Sequence, residues 1–193
     1  MVDVLIVHAA LPADDRVAGA AELLARLPYA RRLELEGRDA AGRLAGLAGS
    51  ALALAGASRL RGHAVGVADL RFPAGGKPSL AGGPWFSVSH SVRRVGVALS
   101  DRCELGLDLE DVVARVDAVG LERWTATEAA LKTVGAGLRS AGRVRLARDL
   151  GTAVVGGTEV HLQSLDLGAD CVACLGTRAR VVSLAVEQVA IEW

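Results

Sequence analysis

Lysine is nearly missing from this chain. Only Lys77 and Lys132 accompany twenty arginines in a sequence of 193 residues. Because arginine occupies almost every other cationic position, a retained lysine indicates that a compact, strongly hydrated point charge is needed there. Both lysines lie in short polar clusters, GKP at 76–78 and WTATEAALK at 124–132. The two clusters are therefore candidates for parts of one site that handles phosphate.

An excess of one charge is also missing, since 22 acidic residues balance 22 basic ones. This balance argues against a nucleic-acid binder or a membrane-surface protein, so any bound anion must be held locally. The longest uncharged run, Leu44–Ser58, has 15 residues, which is too short to span a bilayer and predicts a buried helix. The apolar start, residues 1–11, lacks the pattern of a secretory signal and predicts a strand.

Cysteine is scarce, with three residues, Cys103, Cys171 and Cys174. The last two form a C-x-x-C motif, but no second pair completes a four-ligand zinc site. An odd count argues against a disulfide framework. We therefore expect small core residues of a cytoplasmic protein.

The chain divides into two comparable halves, 1–103 and 104–193. In the first half, the hydrophobic pattern predicts strands at 2–8, 63–71, 86–90 and 94–99, and helices at 18–26 and 40–60. In the second half, it predicts strands at 104–110, 143–147, 158–165, 170–175 and 180–189, and a helix from Arg123 to Val134. One substantial helix and several strands in each half predict an α+β fold with antiparallel sheets.

Two carboxylates form the strongest chemical signal in the sequence. In GLDLE (106–110), Asp108 and Glu110 lie two residues apart on a predicted strand and so share one face, opposite Leu107 and Leu109. Two neighbouring anions repel each other unless a cation lies between them, and Mg²⁺ with oxygen ligands would serve. The alternative is an exposed strand face at the edge of a sheet.

The helix that follows adds three further groups. Trp124, Glu128 and Lys132 recur every four residues and so lie along one helix face. Beside the two strand carboxylates, Glu128 is a candidate third metal ligand and Lys132 a candidate phosphate contact. By themselves, Glu128 and Lys132 would be an ordinary surface pair of a helix.

A serine-rich strand completes the polar set. In FSVSHS (86–91), strand alternation places Ser87, Ser89 and Ser91 on one side and His90 on the other. A histidine at a strand end and a neighbouring hydroxyl can both donate to a phosphate. A serine hydrolase is the rival interpretation, but the chain has no G-x-S-x-G elbow, and Ser89 and His90 are sequence neighbours that face apart.

The motifs GKP, FSVSHS, GLDLE and WTATEAALKTVGAGL, in this order, resemble the signature motifs of the 4′-phosphopantetheinyl transferases. The resemblance is to the larger monomeric class, typified by the surfactin synthetase activator, and covers roughly residues 27–138. It implies a pseudo-dimer of two similar α+β halves, each a small antiparallel sheet packed on a helix, with coenzyme A and Mg²⁺ in the cleft between them. It also implies transfer of the phosphopantetheine arm of coenzyme A to a serine of an acyl, peptidyl or aryl carrier protein, with release of adenosine 3′,5′-bisphosphate.

Carried over residue by residue, the resemblance implies that Asp108, Glu110 and Glu128 bind the metal. Glu128 or a metal-bound water is then a candidate base for the serine proton, and Lys132 a clamp on the leaving phosphate. The residues implied to contact coenzyme A are Arg43, Lys77, Ser89, His90 and Lys132, with Arg31 as a further basic candidate.

The chain departs from the family pattern at two places. The family usually has a lysine immediately before the helix glutamate, where this chain has Thr127. Only 17 residues separate Glu110 from Glu128, whereas family members carry a longer segment that helps to dock the carrier.

Two functional hypotheses follow: an active transferase, or a catalytically silent relative that binds coenzyme A or a carrier as a partner or regulatory subunit. Another phosphoryl-handling enzyme with the same three carboxylates is a third. The pathway served and the oligomeric state stay open.

Overall fold

The computed structural model describes residues 1–12, 19–73, 76–113 and 117–193 of the chain. The helices are α1 (Ala20–Arg26), α2 (Tyr29–Glu36), α3 (Ala40–Arg61) and α4 (Ala118–Thr133). The strands are β1 (Val2–Ala10), β2 (Leu70–Arg71), β3 (Ser79–Leu80), β4 (Trp85–His90), β5 (Arg94–Ser100), β6 (Leu105–Asp111), β7 (Val144–Leu146), β8 (Thr152–Val155), β9 (Thr158–Leu165), β10 (Cys171–Thr177) and β11 (Val181–Gln188). Two 3₁₀ helices cover Val67–Asp69 and Leu138–Arg143.

The strands form two larger sheets and one small one. The first sheet has the order β11-β1-β5-β4, and the second has the order β6-β10-β9-β8-β7, while β2 pairs only with β3. Helix α3 packs on the first sheet and α4 packs on the second. The fold is therefore α+β, with a helix-on-sheet layer at each end and the edge strands β4 and β6 side by side between them.

The topology corrects one prediction. Strand β11 runs parallel to β1, with Val4 opposite Leu184 and Ile6 opposite Val186, so the first sheet is mixed and not purely antiparallel. The last strand of the predicted second half, 104–193, thus belongs to the first sheet. Hydrophobic alternation places a residue on a face but does not identify the neighbouring strand, because that choice depends on packing between distant segments.

Helix α3 matches the helix predicted at 40–60. It begins after Asp39, whose side chain accepts a hydrogen bond of 2.8 Å from the backbone N–H of Gly42, as an N-cap does. By length and composition alone, the helix could span a membrane. However, 67% of its most apolar 18-residue stretch is buried inside the protein. This burial fits the core helix of a soluble protein.

Helix α4 begins at Ala118, earlier than the predicted start near Arg123. Asp117 caps it by accepting a hydrogen bond of 3.1 Å from the backbone N–H of Val119, a local contact that the apolar pattern did not indicate. The helix lies very close to the second sheet, because any Cβ atom at Gly106 would collide with the backbone of Ala129. A glycine in β6 therefore sets how closely α4 approaches.

Other elements differ from the predictions. The segment 63–71 was expected to be a strand, but most of it is loop and 3₁₀ helix, with only Leu70–Arg71 extended. Helix α2 and strand β8 were not predicted, since both are short. The first helix begins at Ala20, and the predicted start at residue 18 lies outside the described residues.

The C-x-x-C cysteines lie in β10 and are free thiols. Cys171 and Cys174 are both buried, each within an apolar cluster. Burial raises the pKa of Cys174 to about 12. The prediction of core residues is confirmed for this pair.

Candidate functional site

The edge strands β4 and β6 are joined by serine side chains and not by a backbone ladder. Ser87 Oγ accepts a hydrogen bond of 3.0 Å from the backbone N–H of Leu107, and Ser89 Oγ accepts one of 3.3 Å from that of Leu109. Both serines are buried. The predicted alternation along β4 is therefore confirmed for these two serines, and hydroxyl groups satisfy donors on the edge of β6 that would otherwise be unpaired.

Two more side chains bind the same edge. Ser91 Oγ donates a hydrogen bond of 2.8 Å to Asp111 Oδ1, and Lys77 Nζ donates one of 2.6 Å to the carbonyl of Leu105. Burial lowers the pKa of Lys77 to about 8, although Glu104 partly offsets it. Lys77 thus holds the start of β6, a contact that the sequence did not suggest.

Asp108 lies at the centre of this junction and is 2% exposed. Its Oδ1 receives a 2.6 Å ion pair from Lys132 Nζ and a 2.9 Å hydrogen bond from Ser89 Oγ. Lys132 Nζ also donates to Ser89 Oγ at 3.1 Å. The other oxygen, Asp108 Oδ2, is buried without a hydrogen-bond partner among the described residues. A buried carboxylate oxygen without a donor is costly unless another group binds it.

Glu128 approaches Asp108 from α4. Its Oε2 lies 3.7 Å from Nζ of Lys132, the same ammonium that binds Asp108. Burial, followed by the negative charge of Asp108, raises the pKa of Glu128. The structure therefore places the helix carboxylate directly beside the strand carboxylate.

Glu110 lies on the same side of the junction. Burial and then the charge of Asp108 raise its pKa, while the nearby Trp124 and Lys132 partly offset this rise. Trp124, Glu128 and Lys132, the helix stripe seen in the sequence, thus all face the β6 carboxylates. We call Asp108, Glu110 and Glu128 together with Lys132 the acidic site.

The acidic site fits a hard cation in the chemistry of its donors. It offers only carboxylate oxygens, one of them buried and unpaired, and burial followed by the charge of Asp108 raises the pKa of Glu110 and of Glu128. Within the ranges that the structure describes, however, no group of three or more His, Cys, Asp or Glu side chains is arranged to hold a metal ion. Lys132 supplies the positive charge nearest to Asp108 instead.

His90 ends β4 beside the acidic site. Burial and then the charges of Arg38 and Lys132 lower its pKa. The side chain borders two grooves. The first, the basic groove, has a volume of about 590 Å³ and is lined by Arg31, Arg38, Phe72, Pro78 and His90, among others. The second groove has a volume of about 630 Å³, and its lining includes Asp39, Gly42, His90, Glu110 and Asp111.

Arg31 lies in the basic groove. Its guanidinium is 4.9 Å from the centre of the Phe72 ring and 2.7 Å from Glu34 Oε2. Its Nε is buried without a hydrogen-bond partner in the described part of the chain. Arg43, by contrast, is half-buried in the first turn of α3, between Gly42 and Ala45, which line the second groove.

The structure therefore gathers Ser89, Asp108, Glu110, Glu128 and Lys132 at one point and places His90 at its border. Lys77 lies at the other end of β6, near enough for the charge of Lys132 to lower its pKa. Arg38 was not among the predicted site residues, although its charge acts on His90 and its side chain lines the basic groove. Arg38 belongs to no recognisable motif. It directly precedes Asp39, the N-cap of α3, and the residues around it show no hydrophobic periodicity.

Comparisons with known proteins found neither a family model nor a curated protein that matches this chain.

Proposed function

We propose that this protein transfers the 4′-phosphopantetheine arm of coenzyme A to a serine of an acyl or peptidyl carrier protein in a Mg²⁺-dependent reaction. The observation that carries the proposal is the acidic site: a buried, partly unpaired Asp108 next to Glu110 and Glu128, with Lys132 against it. Such a site, beside a groove with two arginines and a histidine, suits an anionic substrate that carries a divalent cation.

The arrangement of the two halves supports a pseudo-dimer of the transferase type. Each half contains a helix packed on a sheet, and the halves meet along β4 and β6, where Ser87 and Ser89 bind β6. The acidic site belongs to the second half but lies at this junction, where Ser89 of the first half donates a hydrogen bond to Asp108. The parallel pairing of β11, from the second half, with β1 of the first sheet departs from the symmetry of such a duplication.

The two grooves suit the two ends of coenzyme A. The basic groove contains Arg31 and Arg38, which both pair with Glu34 and would exchange it for a phosphate, and Phe72, whose ring lies beside Arg31. The second groove begins on the other side of His90 and extends past Glu110. We place the nucleotide in the first groove, the diphosphate at His90 and Lys132, and the pantetheine arm in the second groove, while the buried Ser89 positions Lys132.

Asp108, Glu110 and Glu128 would hold Mg²⁺, which supplies positive charge that stabilises the diphosphate oxygens as the reaction proceeds. The carrier serine oxygen attacks the β-phosphorus, and the bond from that phosphorus to the bridging oxygen breaks. The products are the phosphopantetheinyl serine and adenosine 3′,5′-bisphosphate. Lys132 and His90 stabilise charge that grows on the leaving phosphate. Glu128 accepts the serine proton, a role that its raised pKa favours.

The test is to incubate the protein with coenzyme A, Mg²⁺ and a panel of apo-carrier proteins, and then to weigh the carriers by mass spectrometry. We expect one carrier to gain the mass of a single phosphopantetheine group. Asp108→Asn should abolish the gain while near-native circular dichroism is retained. Glu159→Gln, which alters an exposed carboxylate on β9, serves as the matched control and should react like the wild type. Full transfer by Asp108→Asn would overturn the metal assignment.

A silent relative that binds coenzyme A or a carrier is the second candidate. The observation that favours it is the position of Lys132, which already neutralises Asp108 at 2.6 Å, where a metal would be needed. Calorimetric binding of coenzyme A without any mass gain on the carriers would support this second function and reject the first. We propose a cytoplasmic location for either one, in keeping with the free, buried thiols of β10.

A further inference from the structure

A third cavity lies beside Lys77, and the proposed transfer reaction does not use it. The cavity has a volume of about 660 Å³, and we call it the lysine pocket. Its lining includes Lys77, Pro84, Trp85, Asp101 and Glu104, but neither of the arginines that line the basic groove. The lysine pocket is therefore a separate site that has an amine of its own.

One wall of the lysine pocket is a loop that is fixed from α3. Gly82 and Gly83 in this loop have positive φ angles of 74° and 84°, which residues with a side chain rarely adopt. The guanidinium of Arg61, the last residue of α3, donates to the carbonyls of Ala81 and Gly83. Because these bonds hold the loop to a helix end, the cavity is part of the folded structure and exists before any ligand enters.

The amine of Lys77 has a neutral partner. Its Nζ donates a hydrogen bond of 2.6 Å to the carbonyl of Leu105, and the side chain is half-buried. A carbonyl accepts an N–H but leaves the lone pair of a neutral amine free. Burial lowers the pKa of Lys77 to about 8, although Glu104 opposes this effect, and the charge of Lys132 adds to it. A larger fraction of this amine is therefore neutral, and able to react, than in an ordinary lysine.

Lys132, the other lysine of the chain, is engaged differently. Its ammonium forms an ion pair of 2.6 Å with Asp108 and lies 3.7 Å from Glu128. An ion-paired ammonium has no lone pair with which to attack an electrophile. The two lysines should therefore differ in reactivity, and arginine could not replace Lys77 as a nucleophile because a guanidinium stays charged.

The walls of the lysine pocket suit a flat ring without negative charge. Trp85 is 51% exposed, so much of its indole is free to contact a ligand, and Pro84 adds apolar surface. Asp101 and Glu104 are both exposed and place negative charge at the cavity, which disfavours phosphates and carboxylates. An uncharged aromatic aldehyde combines an electrophile for Lys77 with a ring that can stack on the indole.

We propose that Lys77 condenses with an uncharged aromatic aldehyde in the lysine pocket to form an imine, while the ring of the aldehyde lies against Trp85. The Nζ lone pair forms a bond to the carbonyl carbon, and the two protons of the neutral amine leave with the carbonyl oxygen as water. The step needs no oxidant or reductant. Once protonated, the imine nitrogen again has an N–H for the carbonyl of Leu105, so the contact that positions Lys77 is kept.

Reductive trapping tests the proposal, because cyanoborohydride converts an imine to a stable secondary amine. The full chain is incubated with benzaldehyde and cyanoborohydride, and peptide mass mapping then reads each of its two lysines separately. Lys77 should be trapped about tenfold faster in the folded protein than in guanidinium chloride, because folding lowers its pKa. Lys132 should be trapped more slowly in the folded protein, because Asp108 binds it. A lysine with a purely structural role would also react more slowly when folded.

Two variants test the contribution of the indole. Trp85→Ala should slow the trapping of benzaldehyde at Lys77 about fivefold and leave trapping of propanal, which has no ring, nearly unchanged. Tyr29→Ala, which alters an exposed aromatic residue of α2 outside the lysine pocket, is the matched control. It should react with both aldehydes like the wild type.

Slower trapping of Lys77 in the folded wild type than in guanidinium chloride would overturn the proposal. An equal effect of Trp85→Ala on the two aldehydes, with native circular dichroism, would overturn it as well. If this variant does not fold, the wild type decides: folding must raise the preference of Lys77 for benzaldehyde over propanal, and an unchanged preference rejects the proposal. The measurement contains no coenzyme A, Mg²⁺ or carrier, so its result is independent of the proposed transferase activity.

Discussion

Lys132 Nζ lies 2.6 Å from Asp108 Oδ1, so an ammonium from α4 neutralises a carboxylate of β6 across the two layers of the second half. The ion pair is largely removed from water, since the side chain of Asp108 is 3% exposed and that of Lys132 is 30% exposed. A pair of this kind contributes little net stability, but removing one partner leaves the other buried and uncompensated.

Lys132→Met should therefore destabilise the protein by about 3 kcal/mol, because the charge of Asp108 loses its partner. Mg²⁺ should recover much of this loss if the cation binds the same carboxylates. Thermal unfolding of the variant with and without Mg²⁺ measures both effects. The double variant Lys132→Met/Asp108→Asn is the control, and it should be more stable than the single variant and insensitive to Mg²⁺. If Mg²⁺ does not raise the unfolding temperature of Lys132→Met, metal binding by these carboxylates is contradicted.

Lys77 should make stability depend on alkaline pH. Its pKa is lowered from 10.5 to about 8, so between these values the folded protein has released a proton that the unfolded chain still holds. The contribution of Lys77 to the free energy of unfolding therefore rises with pH through this window, by roughly 1 to 3 kcal/mol, and is unfavourable below it. Denaturant unfolding of the wild type and Lys77→Met at a series of pH values measures the difference. Parallel pH profiles for the two proteins would refute the assignment.

Gly106→Ala should displace α4 from the second sheet. Any Cβ atom there meets the backbone of Ala129 and Thr133, which cannot rotate away as a side chain can. We expect a loss of about 3 kcal/mol and, since Glu128 and Lys132 move with the helix, a loss of phosphopantetheine transfer. Gly137→Ala has open space around the new methyl group, so it is the control for both stability and phosphopantetheine transfer. Native stability of Gly106→Ala would mean that the close approach is unimportant.

Ser87→Ala should weaken the junction between the two halves. It leaves the backbone N–H of Leu107 buried without an acceptor, which costs about 1 to 3 kcal/mol. Thr127→Ala removes an exposed hydroxyl bound only to a carbonyl of its own helix, and should change stability by about 0.5 kcal/mol or less. Chemical denaturation of the two variants tests this contrast. Equal effects would show that the serine contact does not hold the halves together.

Local patterns predicted the elements that carry the acidic site. Alternation along β6 predicted Asp108 and Glu110 on one face and Leu107 and Leu109 on the other, and the two leucines lie in the core of the second half. The four-residue spacing aligned Trp124, Glu128 and Lys132 on one face of α4. The predictions failed where local signals are weak: α2 and β8 are short, and the first turns of α4 are set by a cap at Asp117.

The sequence by itself determined the α+β class and which polar side chains share a face, because both follow from backbone periods of 2 and about 3.6 residues. Only the tertiary structure decided that β4 lies against β6 and that Lys77 binds Leu105. It also decided that Lys132 pairs with Asp108 and that β11 pairs with β1. These contacts join segments that are far apart in the chain. Which segments meet depends on the packing of the whole core, and a short stretch of sequence does not carry that information.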